Sequence, residues 1–201
     1  DGRAAGPLVT VTTEPEAQFH SSLAVDAQDR VWVAWDEAGE NWGKDFSRTS
    51  AAPGSRGLHF SRSLNLRVYS RNALQAPAAG LAGVLTGRMS RYAELPQVAV
   101  DGAGAVWMVF RHWTWNQPNE IYHFYATRLD GEQWTLPVRL GNSSGLNTQR
   151  AGLARAPDGS LLVAYSSDGR SPTNLPKDQR HALHYNVYLA SLAQGGRGDS
   201  P

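Results

Sequence analysis

Apolar and polar positions follow one another along this chain in short runs that predict β-strands separated by tight turns. Residues 21–39, SSLAVDAQDRVWVAWDEAG, show the pattern: two apolar, β-branched runs stand on either side of a turn that contains aspartate. Side chains two residues apart lie on the same face of a strand, so such runs bury at least one face of a sheet. The stretch therefore predicts a β-hairpin.

This pattern occurs three times. The copies begin with DAQDRVWVAW at Asp26, DGAGAVWMVF at Asp101 and APDGSLLVAY at Ala156. The intervals between these three starting positions are comparable with the ~40–50-residue period of β-propeller blades, and an insertion lengthens the first interval. In each copy we predict a first strand (22–25, 97–100, 152–155), a second strand (31–35, 106–110, 161–165) and a third strand (58–69, 121–129, 183–192).

A fourth strand is clear only in the second copy, as QWTLPVRLG, and in the first copy it must lie within ALQAPAAGLAGVLTG. Residues 7–12 resemble a displaced outer strand. We predict an all-β fold: a partial β-propeller of about three four-stranded antiparallel blades, with repeats near 19–90, 91–145 and 146–193 and a flexible glycine-rich tail over 194–201. Propellers close with four to eight blades, so we expect a segment of a larger propeller, the alternative being closure by self-association.

The repeated positions are interpreted as scaffold. Trp32, Trp35, Trp107 and Phe110 are predicted to form core between blades, because strands held between stacked sheets are rich in aromatic and β-branched residues. The two aspartates that open the turns, Asp26 and Asp101, are predicted to accept hydrogen bonds from nearby backbone N–H groups.

The positions at the strand ends differ between the copies and are the candidate functional residues. In an antiparallel blade the start of the first strand and the end of the second lie at one edge, so these positions should surround one mouth of the propeller, where function commonly sits on loops. The predicted ligand-binding residues are His20, Asp36, Glu37, Trp42, Glu94, Arg111, His112, Trp113, Arg150, Asp168 and Arg170. Indole rings and charges of both signs suit a saccharide, especially one with a carboxylate or sulfate that arginine binds.

A catalytic site at the same mouth is the alternative. Two carboxylates at a defined separation would serve a glycoside hydrolase, and histidine with arginine would serve proton abstraction beside a uronate in a polysaccharide lyase. The candidates for either reaction are His20, Asp36, Glu37, Glu94, Arg111 and His112. No spacing in the sequence fixes either set, so the main prediction is a non-catalytic module that binds a saccharide or scaffolds an adjacent domain.

Composition narrows the classes of partner. The formal net charge of +1 gives no electrostatic basis for binding nucleic acid, and no apolar run reaches the ~20 residues that span a membrane. There is no cysteine, and His181 and His184 are spaced to point to opposite faces of a strand, so we predict neither a metal site nor a cofactor. The terminal GRGDSP matches an integrin-binding hexapeptide, which we interpret as coincidence.

The motifs SLAVDAQDRVWVAW and PQVAVDGAGAVWMVF resemble the repeats of sialidase-like (bacterial neuraminidase repeat) propellers over nearly the whole chain. The sialidase Asp-box and the Arg-Ile-Pro segment are missing, which argues against sialidase activity itself. WDEAGENWGKDF, RYAELPQVAVD and NTQRAGLARAPDGSLLVAYSSDGR look like the propeller region of large bacterial proteins in which a metal-dependent domain of the PHP type follows the propeller. This resemblance implies an accessory module of an exported protein.

Overall fold

The computed structural model describes residues 8–38, 61–115, 121–147, 149–171 and 184–193. These residues form an all-β structure of three antiparallel sheets with four, five and three strands. Several predicted features lie outside the described residues: Trp42, His181, the 194–201 tail and the first residues of two predicted third strands. Within the described part of the chain, no helix is long and apolar enough to cross a membrane.

The first sheet contains four strands in sequence order. They are β1 (Gln18–Val25), β2 (Val31–Glu37), β3 (Ser63–Ser70) and β4 (Ala73–Gln75). β4 is the fourth strand that the first copy was predicted to contain, and it is short because the chain then turns into a 3₁₀-helix at Leu81–Gly83. β1 and β2 pair as the predicted hairpin.

The second sheet follows the same order. Its strands are β5 (Ala93–Val100), β6 (Val106–Trp115), β7 (Ile121–Asp130), β8 (Gln133–Trp134) and β9 (Val138–Arg139). The fourth strand, predicted as one run, is divided into β8 and β9, which both pair with β7. Pro137 has no N–H to donate to a ladder, and the Thr135 hydroxyl oxygen accepts the hydrogen bond of the Arg128 N–H at 3.0 Å.

The third sheet contains β10 (Gly152–Arg155), β11 (Leu161–Ser167) and β12 (Asn186–Leu192) among the described residues. Residues 8–12, predicted as a displaced outer strand, form no ladder with any described strand. Leu8 is 97% exposed and Val9 is 42% exposed, so the first residues of this segment bury little apolar surface.

Two apolar clusters hold the sheets together. Trp32 and Phe110 lie in the cluster between the first and second sheets, and Trp107 lies with Val163 in the cluster between the second and third sheets. The prediction that these aromatic residues form the core is confirmed. Trp35 is also buried, but it belongs to neither cluster.

The predicted role of the turn aspartates is also confirmed. The Asp101 carboxylate accepts hydrogen bonds from the N–H groups of Ala103 and Ala105, both at 2.9 Å, and from the Trp107 indole at 2.8 Å. Asp26 makes the equivalent bonds, including one of 2.7 Å from the Trp32 indole. A carboxylate six residues before a tryptophan therefore clamps each of these two hairpins.

Candidate functional site

β1 and β5 each contain a distortion of the strand pairing at the same position of the repeat. Each distortion lies beside predicted site residues. Pairing shifts between Phe19 and Ser22 in the first sheet and between Glu94 and Gln97 in the second. The backbone is left-handed at His20 (φ 50°) and at Leu95 (φ 56°). Since histidine and leucine adopt the same conformation at matching positions, the bulge belongs to the repeated scaffold rather than to one side chain.

Asp36, at the end of β2, is fully buried and ties the first sheet to the second. Its carboxylate accepts hydrogen bonds from the Leu95 N–H at 2.7 Å, from His20 Nδ1 at 2.8 Å and from Arg62 Nη1 at 3.1 Å. The guanidinium of Arg62 also lies over the Phe19 ring, 4.2 Å from its centre. The hydrogen-bonding capacity of Asp36 is thus used within the protein. The structure also brings Asp36 together with His20, which the sequence predicted to lie at the same edge.

Arg111 takes the matching position at the end of β6 and binds the segment that leads into the third sheet. Its Nη1 donates to the carbonyl oxygens of Leu146 and Asn147 at 2.9 and 2.6 Å, and its Nη2 lies 3.1 Å from Glu94 Oε1. The guanidinium lies 4.1 Å from the centre of the Tyr122 ring. Glu94 and Arg111 are therefore brought together, but as a pair separate from His20 and Asp36.

His112, Trp113 and Glu37 lie against neighbouring strands. The ring of His112 is bonded through Nδ1 to the Tyr92 carbonyl at 2.9 Å, and burial lowers its pKa. Trp113 packs edge-on against Tyr92, with ring centres 5.4 Å apart. Burial raises the pKa of Glu37, whose Oε2 accepts a 3.3 Å hydrogen bond from the Trp35 indole.

The remaining described residues flank strands of the third sheet. Asp168 and Arg170 are both buried and form a pair, with Arg170 Nη2 2.6 Å from Asp168 Oδ2. Arg150 is exposed, and its Nη1 donates to the Ser21 carbonyl of β1 at 3.1 Å. Among the described residues, His20 with Asp36, Glu94 with Arg111, and Asp168 with Arg170 form three pairs.

A cleft that the sequence did not predict lies between the second and third sheets. It has a volume of about 430 Å³ and is lined by the ends of β6, β7 and β9 and by the segments 140–144 and 169–171. His123 and Arg139 are among its lining residues. No pattern marks them in the sequence, because they come from different strands and meet only when β9 pairs beside β7.

Arg62 was also missed. It precedes β3, after a long insertion with no periodic pattern, so the sequence offers no signal that its guanidinium reaches Asp36. Among the residues that the structure describes, no group of three or more histidine, aspartate or glutamate side chains is arranged to hold a metal ion.

Comparison with known proteins identifies a shared fold. No family model matches the chain, and no curated protein matches it. The crystal structure of a protein of unknown function from Dyadobacter fermentans matches with a TM-score of 0.62 and 12% sequence identity, over 94% of this chain and 55% of that one. This chain therefore spans about half the length of that protein, and at this identity the likeness concerns the fold alone.

Proposed function

We propose that the three sheets are three blades of a β-propeller and that the chain is a non-catalytic module binding a polar ligand, such as a saccharide, at the rim that contains His20. The first strands of the sheets support the propeller: β5 packs against both β1 and β10, and Arg150 of the third sheet reaches Ser21 of the first. First strands that meet in this way are expected of blades around a common axis.

The outer faces of the first and third sheets fit the same proposal. Leu23 and Val25 are 65% and 54% exposed on the face of the first sheet turned away from the second. Val187 and Leu189 are 80% and 68% exposed on the corresponding face of the third sheet. Such apolar faces are where further blades would pack. Light scattering tests closure by self-association, which would give a mass that is a multiple of the monomer mass.

The assignment as a binding module rests on one observation: two of the three candidate carboxylates, Asp36 and Glu94, already have cationic partners. Asp36 is bonded to Arg62 and His20, and Glu94 is bonded to Arg111. A glycoside hydrolase needs one protonated carboxylic acid and a second carboxylate free to act as base or nucleophile. Asp36 and Glu94 are engaged by arginine, so neither is free to serve as the base or nucleophile beside Glu37, whose pKa is raised by burial.

His20 is the rim residue best placed for a ligand. Its side chain is 36% exposed, and its Nδ1 is held by Asp36. Nε2 is the nitrogen outside this pairing, so it can accept a hydrogen bond from a sugar hydroxyl.

The same pair favours a second candidate function. A histidine oriented by a buried carboxylate is the arrangement of a general base, and proton abstraction beside a uronate would need one. In this alternative the chain is a polysaccharide lyase with His20 as its base.

Binding and cleavage of neutral and acidic polysaccharides separate the two functions. We expect wild-type protein and a Gln28→Ala control, altered in the turn at the opposite end of β1, to bind an acidic polysaccharide without releasing unsaturated ends. His20→Ala should weaken that binding at least about tenfold. Release of unsaturated ends that His20→Ala abolishes would establish the lyase, whereas equal binding by His20→Ala and wild type would overturn the rim assignment.

A further inference from the structure

The cleft between the second and third sheets holds an unusual combination of polar groups. Thr114 and Ile121 stand at the adjoining ends of β6 and β7, and His123 follows two residues later on the same strand face. Arg139, in β9, lines the cleft beside them. A volume of about 430 Å³ is within the range of small-molecule sites.

Hydrogen bonding around Thr114 favours one tautomer of His123. The Thr114 hydroxyl lies 3.1 Å from the Ile121 carbonyl oxygen, which only accepts, and 2.9 Å from His123 Nδ1. Both contacts are hydrogen bonds together when the hydroxyl donates to the carbonyl and Nδ1 donates to the hydroxyl. Burial, with the nearby charge of Arg139, lowers the pKa of His123 to about 4. The ring is neutral at neutral pH, and Nε2 carries a lone pair.

Arg139 supplies positive charge. It is exposed, and among the described residues it forms no ion pair, whereas the other arginine of the cleft, Arg170, is neutralised by Asp168. The serine hydroxyls nearby are used internally, Ser143 donating to the Leu140 carbonyl and Ser144 to the Arg170 carbonyl. Among the described lining residues, the cleft therefore offers a ligand the Arg139 cation and the neutral His123 acceptor, with the Asn142 amide beside them.

We propose that this cleft binds a hydroxycarboxylate of sugar size, with Arg139 on the carboxylate and His123 Nε2 accepting a hydrogen bond from a hydroxyl. A ligand with hydroxyls alone leaves Arg139 without a counter-charge. A carboxylate alone offers no proton to Nε2. A uronic acid has both groups on one ring. The site is separate from the His20 rim, so either assignment can fail while the other stands.

Three small probes test both halves of this recognition at pH 7. D-Glucuronate has both groups, D-glucose has hydroxyls only, and cyclohexanecarboxylate has the charge only. Calorimetric or NMR titration should show D-glucuronate binding at least about tenfold more tightly than either of the others, since a hydrogen bond to a charged group changes affinity by about one to two orders of magnitude. Equal affinity for the three probes, or no binding of D-glucuronate, would overturn the proposal.

Variants test which ligand group Arg139 binds and which one His123 binds. Arg139→Gln should weaken D-glucuronate binding at least about tenfold while leaving the weak affinity for D-glucose unchanged. His123→Gln and His123→Phe should both fold, as judged by circular dichroism, and only the phenylalanine variant should lose the preference for D-glucuronate over cyclohexanecarboxylate. Arg155→Gln, on exposed β10, is the matched control and should bind as wild type. Unchanged affinity in Arg139→Gln, or loss of D-glucuronate binding in His20→Ala, would contradict the cleft as the site.

Discussion

The Asp36 carboxylate lies 2.7 Å from the backbone nitrogen of Leu95, so the last residues of β2 in one sheet hold the first residues of β5 in the next. The following junction uses the opposite charge, with Arg111 Nη1 2.6 Å from the carbonyl oxygen of Asn147. At the first junction the Asp36 carboxylate accepts from a backbone N–H, and at the second the Arg111 guanidinium donates to a backbone carbonyl. The variation in charge between repeats thus has a structural cause as well as any role in binding.

Replacement of Asp36 by alanine should be strongly destabilising. It removes the acceptor for Leu95 and leaves the Arg62 guanidinium buried without a counter-charge. Breaking a buried ion pair in this way costs about 3–5 kcal/mol. We expect urea unfolding to show a loss of that order, and an Asp29→Asn control in an exposed turn to stay within about 0.5 kcal/mol of wild type. A loss for Asp36→Ala no larger than the control's would show that the junction does not depend on this carboxylate.

The hairpin clamps should differ in strength between repeats. Asp101 binds two backbone N–H groups and the Trp107 indole, so Asp101→Ala should lower the free energy of unfolding by about 2–3 kcal/mol. In the third copy Ala156 and Leu162 replace the aspartate and the tryptophan, and the exposed Asp158 two residues later accepts hydrogen bonds from the N–H and hydroxyl of Ser160. Asp158→Ala should therefore cost clearly less in the same thermal or urea unfolding experiment. Equal losses in the two variants would contradict the clamp.

Gly102 should not tolerate a side chain. A Cβ at this position would lie 2.5 Å from the Gly159 Cα, where the turns of the second and third sheets meet and the Gly102 N–H donates to the Gly159 carbonyl at 2.7 Å. We expect Gly102→Ala to destabilise by about 1–3 kcal/mol. Gly141→Ala is the control, because nothing lies within 4 Å of the added Cβ. A Gly102→Ala variant as stable as Gly141→Ala would show that the two turns can separate at no cost.

Stability should decline as the pH falls from about 7 towards 4, and His123 should contribute to the decline. Its folded pKa of about 4 lies below the ordinary value of 6.5, so between these values the unfolded chain binds a proton that the folded protein does not. The free energy of unfolding therefore rises with pH across this window. His112, with a pKa lowered in the same direction, adds to the effect.

The difference between wild type and His123→Gln isolates this contribution, because His112 and Glu37 titrate in both proteins. Between pH 4 and 7, the free energy of unfolding should rise by about 2 kcal/mol less in the variant than in wild type, as measured by urea unfolding at each pH. His184→Gln, at an exposed position, should keep the wild-type slope. An unchanged slope in His123→Gln would mean that the folded protein protonates His123 as readily as the unfolded chain does.

The strands were predictable where they are regular. β10 begins and ends where the pattern predicted, and β2 and β6 begin where predicted. β1 and β5 begin four residues before their predicted starts, because the bulges at His20 and Leu95 interrupt the alternation that the prediction used. Pro137 likewise divides what was predicted as one strand. Alternating apolar and polar residues indicate a strand only where its backbone keeps the regular pleat.

The sequence by itself determined the repeated hairpins, the aromatic core and the carboxylates Asp26 and Asp101 of two turns, because these depend on residues a few positions apart. It also placed His20 and Asp36 at one edge, since antiparallel pairing brings Phe19, the neighbour of His20, opposite Asp36. Only the tertiary structure decided that Arg62 would neutralise Asp36, that Arg111 would bind the segment before the third sheet, and that His123 and Arg139 would share a cleft. Those contacts join residues from separate strands and sheets, and the packing of one sheet on another sets their distances.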